Sequence, residues 1–248
     1  MEFVTSFAEH SLYKDELRNV EVIATEQFKG ATFVVRVDSA TARATGSTLI
    51  DDLHFLADHA VHPVVVAPSP RAAHAIVRTI NRSTDIAVSL CGADAAMLPQ
   101  TAAGIGRVQT RILRTLLDQG FIPVVEPTAF AAFSNDDPRV IADDVAAAIA
   151  GALKATRALF FHPAGGVTDP KTHETICELT PAEALDLAED RALSKGLRAT
   201  IRAAAFGVRN GVPAAQIVDG RLAHAAILEL ITAQHLGTQV TGGIVLAA

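Results

Sequence analysis

Cysteine is scarce, with two in 248 residues. Two thiols cannot staple a chain of this length, so a disulfide scaffold is excluded. A reducing, cytoplasmic setting is expected, with Cys91 and Cys177 as small buried thiols. Charge is scarce as well: 19% of residues are ionised, with a net of −6. A pI near 5.8 gives no bulk attraction to phosphates, so nucleic acid is not an expected partner. Long apolar runs are missing although mean hydropathy is +0.30. A spanning helix needs about 20 consecutive apolar residues. The longest candidate, Val145 to Leu153, is rich in alanine and stops at Lys154. Met1 to Tyr13 has no basic start and no long apolar core, so neither a signal peptide nor a membrane segment is expected. Walker A, GxGxxG and GxSxG patterns are absent too.

What is present is a core. Half of the residues are hydrophobic, which excludes global disorder. Residues 1–20 read as an added helix with Phe3, Phe7, Leu12, Leu17 and Val20 on its apolar side. Residues 21–248 then read as one domain. Short apolar runs predict strands at 32–37, 63–67, 86–90, 121–125, 158–161 and 214–218. Helical patterns fall between them, at 49–60, 72–80, 107–119, 142–155, 181–189, 197–209 and 221–233. Thr180 with Glu183 three residues on is a capping box. Nearly all-apolar strands alternating with helices mean a mainly parallel sheet covered on both faces, a three-layer α/β/α sandwich.

In open sheets of this kind ligands sit beyond the carboxyl ends of the strands. The turns there are Val37-Asp38-Ser39-Ala40, Pro68-Ser69-Pro70-Arg71 and His162-Pro163-Ala164-Gly165-Gly166. A phosphate cradle needs glycines that let backbone N–H groups approach the oxygens. The first two turns have none. Gly165-Gly166 qualifies, although a lone Gly-Gly is more often a plain turn. Gly104-Ile105-Gly106 reads as a structural turn with no strand leading into it. The nine histidines show no pair at i, i+4, and His59 with His62 lacks an acidic or cysteine partner in line, so no metal site is expected.

The order of segments resembles the amino acid kinase family, and within it the acetylglutamate kinases. Phe28 to Val35 resembles the entry into its first strand. Ser89-Leu90-Cys91-Gly92-Ala93-Asp94 is similar to its Ser-Gly-x-Asp turn. Gly106-Arg107-Val108 through Val124 resembles its Gly-x-Val helix and the strand after it. Ala142-Asp143 resembles its Asn-Ala-Asp segment. Glu178 to Glu183 is similar to its loop before a helix, and Ile217 to Arg221 through Thr238 to its C-terminal strand and helix. The resemblance runs colinearly from about residue 20 to the end.

This family transfers the γ-phosphoryl group of ATP to a carboxylate, a reaction driven by positioning and charge neutralisation. By resemblance, the first lysine of that site is matched by Arg36 and the glycines after it by Asp38-Ser39. The Gly-rich second turn is matched by Pro68-Ser69-Pro70, the asparagines by Arg139 and Ile141, and the late lysine by Thr200, with Lys195 and Arg198 off register. Asp143, which orients the lysines in the family, is kept. The stretch that carries the substrate lid is much shortened. Asp38 adds a negative charge where triphosphate lies, a repulsion of about 1–4 kcal/mol at effective dielectrics of 80 to 20. The first expectation is a protein that has lost phosphoryl transfer and acts as a regulatory or binding subunit in arginine metabolism, with no cofactor. A small amino-acid effector would meet His224, Glu229 and Gly237. The alternative is an active ATP-dependent kinase of an N-acetylglutamate-like carboxylate. Its rebuilt site would use Arg36 as the cation, Ser39, Ser69, Gly165 and Gly166 as substrate or nucleotide contacts, and Mg-ATP as cofactor. A homodimer or higher oligomer is expected, paired through the helix from Arg107 to Gln119 or mixed with an arginine-pathway enzyme.

Overall fold

A computed structural model describes residues 27–44, 46–102, 104–132, 140–169, 172–231 and 236–242. The expected helix at 1–20 lies outside the described residues. Eight strands form one sheet in the order β3-β6-β2-β1-β7-β9-β10-β8. They are β1 (Thr32–Arg36), β2 (His62–Val66), β3 (Ala87–Leu90), β6 (Ile122–Val125), β7 (Arg157–Phe161), β8 (Glu178–Leu179), β9 (Ala214–Val218) and β10 (Thr238–Thr241). β10 runs antiparallel to β9 and pairs in parallel with β8; the other pairings are parallel.

The pleat sends successive side chains to opposite faces, and β1 uses both. Val34 packs into one hydrophobic layer and Val35 into the other. The Val35 face is covered by α2 (Gly46–Asp58), α3 (Pro70–Ile80) and α8 (Ala225–Ile231). The Val34 face is covered by α4 (Arg111–Asp118), α5 (Ala142–Leu153), α6 (Pro181–Leu187) and α7 (Lys195–Arg209). A short α1 (Thr41–Ala44) leads into α2. Local chemistry sets the helix ends. Ser69 and Ser194 cap α3 and α7, and the Thr180–Glu183 capping box opens α6. Among the described residues no helix is long and apolar enough to cross a membrane.

Several local expectations are corrected. The helix expected from residue 107 begins at Arg111, because the Gln109 N–H is bonded to the Met97 carbonyl and Val108 is buried. Gly104–Ile105 is not a plain turn but strand β5, paired antiparallel with β4 (Gln100–Thr101). Glu178–Leu179, expected as loop, is drawn into the sheet by β10. The helix expected from 221 starts at Ala225, since His224 sits at φ 55. The cysteines are not buried: Cys91 is half-buried and Cys177 exposed.

Candidate functional site

β1 lies mid-sheet, and the chain switches direction beside it: β2 follows on one side and β7 on the other. Its last residue, Arg36, reaches the first turn of α5. Arg36 Nη2 donates to Asp143 Oδ2 at 2.7 Å, and Nη1 donates to the Phe161 carbonyl at 3.0 Å. The other Asp143 oxygen accepts the Thr200 hydroxyl from α7 at 2.7 Å. Both Asp143 oxygens are therefore occupied by protein donors. Arg36 Nε is buried without a partner among the described residues.

Two residues beyond Arg36 the chain turns at Asp38, which is buried. Its carboxylate accepts the N–H groups of Ala40 (2.6 Å) and Thr41 (3.1 Å), and Thr41 Oγ1 donates to its second oxygen. N–H groups at a helix start are where an external anion would bind; here an internal carboxylate satisfies them.

The loop after β7 completes the cluster. His162 Nδ1 accepts the Ala164 N–H at 3.1 Å, and its Nε2 faces Gly196 at the start of α7. Burial, followed by the Arg36 charge, holds His162 below the usual imidazole range, against the opposing carboxylates of Asp143, Asp38 and Asp219. Arg221 chelates Asp219 through Nε (2.9 Å) and Nη2 (2.7 Å) and donates to the Pro163 carbonyl at 2.9 Å. That contact holds Asp219 below the usual carboxylate range. The cluster thus holds three carboxylates, two guanidiniums and an imidazole favoured in its neutral form.

The remaining expected residues are placed as follows. Gly165 and Gly166 have φ of 72° and 152°. A side chain on Gly166 would meet Thr175, Gly237 and Thr238, and the Gly165 N–H is bonded to the His162 carbonyl. Ser39 and Ser69 line one cleft on the α2–α3 side of the sheet. Glu229 is buried and accepts the Leu236 N–H at 3.1 Å, which sets it beside Gly237. His224 turns elsewhere, its Nδ1 lying 2.7 Å from Asp52 Oδ1. Ile141 is exposed, and Arg139 lies outside the described residues.

The sequence reading missed the parts played by Thr41, His162, Asp52 and the Asp219–Arg221 pair. For Asp52 a signal existed: it falls three residues after Leu49 and four before Leu56, on the apolar face of its helix. His162 joins the cluster through strand order, which local spacing does not encode, whereas Thr41 with Asp38 and Arg221 with Asp219 are local pairs three and two residues apart.

The sequence pattern of the amino acid kinase family matches residues 71–219. An acetylglutamate kinase from Campylobacter curvus (strain 525.92) is 32% identical over 258 aligned positions, which cover 97% of this chain and 91% of that protein. An acetylglutamate kinase from Acidiphilium cryptum (strain JF-5) is 32% identical, covering 79% and 72%. Among solved structures, N-acetylglutamate synthase from Neisseria gonorrhoeae, complexed with coenzyme A and N-acetyl-glutamate, superposes with a TM-score of 0.77 at 18% identity. The match covers 90% of this chain and 62% of that one, so the chain spans about three fifths of the synthase. Aspartate kinase from Synechocystis superposes with a TM-score of 0.64 at 16% identity, covering 87% of this chain and 40% of that one. At these identities the structures speak to fold.

Proposed function

We propose that this chain, which belongs to the amino acid kinase family, has given up phosphoryl transfer and serves as a binding or regulatory subunit in arginine metabolism. The observation that carries this reading is Asp38: its carboxylate takes the Ala40 and Thr41 N–H groups at the end of β1. An incoming triphosphate would have to displace that carboxylate or lie against it. The surrounding charge adds to the obstacle, because Arg36 is tied to Asp143 and Arg221 to Asp219, leaving Asp38 as net negative charge. Phosphoryl transfer depends on cations that neutralise developing charge. A hydroxyl, that of Thr200, meets Asp143 where the family resemblance calls for a second lysine.

A thermal shift with Mg-ATP tests the proposal. Ligand at 100 times its dissociation constant stabilises a fold by about 2.7 kcal/mol. No shift is expected at millimolar Mg-ATP, and no phosphorylation of N-acetylglutamate; a clear upward shift with turnover overturns the reading. The competing reading, an active ATP-dependent kinase with a rebuilt site, draws on the unpartnered Nε of Arg36, a cation still present at the end of β1. The same assay decides between them.

The regulatory half of the proposal rests on the C-terminal segment. A structural neighbour, the N. gonorrhoeae synthase, has been solved with L-arginine bound. Glu229 is a buried carboxylate beside Gly237 that accepts the Leu236 N–H and interacts with the Arg157 charge, so a guanidinium ligand would share it with them, while His224 is engaged by Asp52. Calorimetry with L-arginine is expected to give heat that E229Q abolishes; no heat removes the effector. We place the protein in the cytoplasm as a homodimer, or mixed with an arginine-pathway enzyme. Half-buried Ile112 and Leu116 on α4 are the surface for such pairing. Light scattering is expected to give a mass of at least twice 26.0 kDa, and a clean monomer removes the dimer.

A further inference from the structure

In the helix layer that covers the Val34 face, a groove of about 510 Å3 lies between β5, α5 and α7. That volume is in the range of small-molecule sites. Its middle is apolar. Ala148 and Ala152 of α5 and Ile105 of β5 line it and are only partly buried. Phe206 of α7 lines it too and is 52% exposed. A large ring left open to water beside an apolar groove is surface that a ligand can cover. None of these residues belongs to the Arg36–Asp38 cluster.

Both ends of the groove offer acceptors. Asp144, in the first turn of α5, lines one end and is exposed. Asp143 beside it is buried and already bonded to Arg36 and Thr200. No hydrogen bond or ion pair reaches the Asp144 carboxylate among the described residues. At the other end Gly151 meets Asn210: a Cβ on Gly151 would stand 3.0 Å from that of Asn210. Asn210 Nδ2 donates to the Phe206 carbonyl at 2.7 Å, and its Oδ1 has no donor among the described residues. Asp144 and Gly151 lie about 10 Å apart along α5, at a rise of about 1.5 Å per residue. Two acceptors separated by an apolar stretch of that length match a chain of methylenes with an N–H donor group at each end. Amines of this kind are protonated at neutral pH, with pKa values near about 10. We propose that the groove between β5, α5 and α7 binds a linear organic diamine, one ammonium on Asp144, the other on Asn210 Oδ1, and its methylenes against Ala148, Ala152 and Phe206. Arg107 is the one other charged residue lining the groove, and it is exposed. Its charge opposes such a ligand, which gives the proposal a sign that can be tested. The site stands whether or not phosphoryl transfer has been lost.

Hexanediamine is a suitable probe, with hexanediol as the same body without charge and hexylamine as the body with one ammonium. Hexanediamine at millimolar concentration is expected to raise Tm and to move backbone NMR resonances within residues 104–108, 144–152 and 206–210. Hexanediol is expected to do neither. D144N, at an exposed position, is expected to leave the free protein folded and to weaken hexanediamine at least about tenfold. R107Q is expected to bind it at least as tightly as wild type, because a like charge is removed. N210A is expected to bind hexanediamine no better than hexylamine, a comparison that a merely structural loss would not change. A148W keeps both acceptors but fills the groove, and is expected to abolish binding. The proposal is overturned by wild-type protein that does not respond to hexanediamine, by equal responses to hexanediol, by D144N or A148W binding as tightly as wild type, or by R107Q losing as much affinity as D144N. None of these readouts uses nucleotide, so an ATP-binding result bears on the other proposal alone.

Discussion

Arg36 and Asp143 meet at 2.7 Å with side chains only 14% and 5% exposed, although 107 residues separate them in the chain. The contact joins mid-sheet strand β1 to the first turn of α5, and Thr200 ties α7 to the same carboxylate. Whatever the site now does, this carboxylate fastens three elements together.

Removing one partner of such a pair leaves a buried charge uncompensated, which typically costs about 3–5 kcal/mol. D143A is therefore expected to lose stability on that scale, measured by urea unfolding. Replacing both partners with apolar residues, as in R36M/D143L, is expected to cost less than D143A alone. A loss under about 1 kcal/mol in D143A would mean that the pair behaves like a solvated surface bridge.

Asp38 allows charge to be separated from shape. Asparagine caps helices about as well as aspartate, so D38N is expected to hold stability within about 0.5 kcal/mol. It removes the negative charge from the end of β1. If that charge excludes phosphates, tripolyphosphate should bind D38N at least about fivefold more tightly than wild type, from a relief of about 1 kcal/mol or more. Equal affinity for the two proteins, measured by calorimetry, would show that Asp38 is a cap and nothing further.

The layers and most of the sheet were legible because apolar runs and helical periodicity are local. Val34 and Val35 alone announce a strand buried on both faces. Strand order is not local, and it decides which turns become neighbours. The family resemblance points to Arg36, Asp38, Asp143 and Thr200 as site positions; that Thr200 bonds to Asp143 across 57 residues is not visible in the sequence, whereas Thr41 with Asp38 is a local pair three residues apart. Two-residue strands such as β5 and β8 carry too few side chains for an alternation to be read. His224 was read as an effector contact. Its imidazole is bonded to Asp52, which lies 172 residues earlier.

Gly237 is fixed by space. A Cβ there would stand 2.0 Å from the Ile217 carbonyl oxygen and 2.6 Å from that of Gly165, both backbone atoms held within the fold. G237A is expected to cost about 3 kcal/mol or more, as an overpacked site that cannot relax. Gly30 is the control: it has φ +77° and nothing within 4 Å of an added Cβ, so G30A carries backbone strain alone, about 1 kcal/mol. Thermal melts of the two variants should differ clearly, with G237A much the lower.

The Asp52–His224 contact predicts a pH dependence of stability. Asp52 is buried in α2 and accepts the Ala226 N–H at the start of α8. Burial pushes its pKa from 3.8 up to about 6, against the opposing pull of His224 and of the Ala226 and Ile227 amides. The folded state therefore holds this proton more tightly than the unfolded chain does. The resulting stabilisation is complete below about pH 4 and is lost as pH rises through about 6, with an upper bound of about 3 kcal/mol. D52N keeps an acceptor for the Ala226 N–H but does not titrate. Relative to wild type, D52N is expected to gain stability between pH 4 and pH 7, while other acidic groups cancel in the difference. H224Q removes an interaction that lowers the Asp52 pKa, so its loss of stability should extend to higher pH than in wild type. Urea midpoints for the three proteins at pH 4, 5.5 and 7 would show both effects. A wild-type to D52N difference that stays flat across that range would mean that Asp52 is ionised throughout.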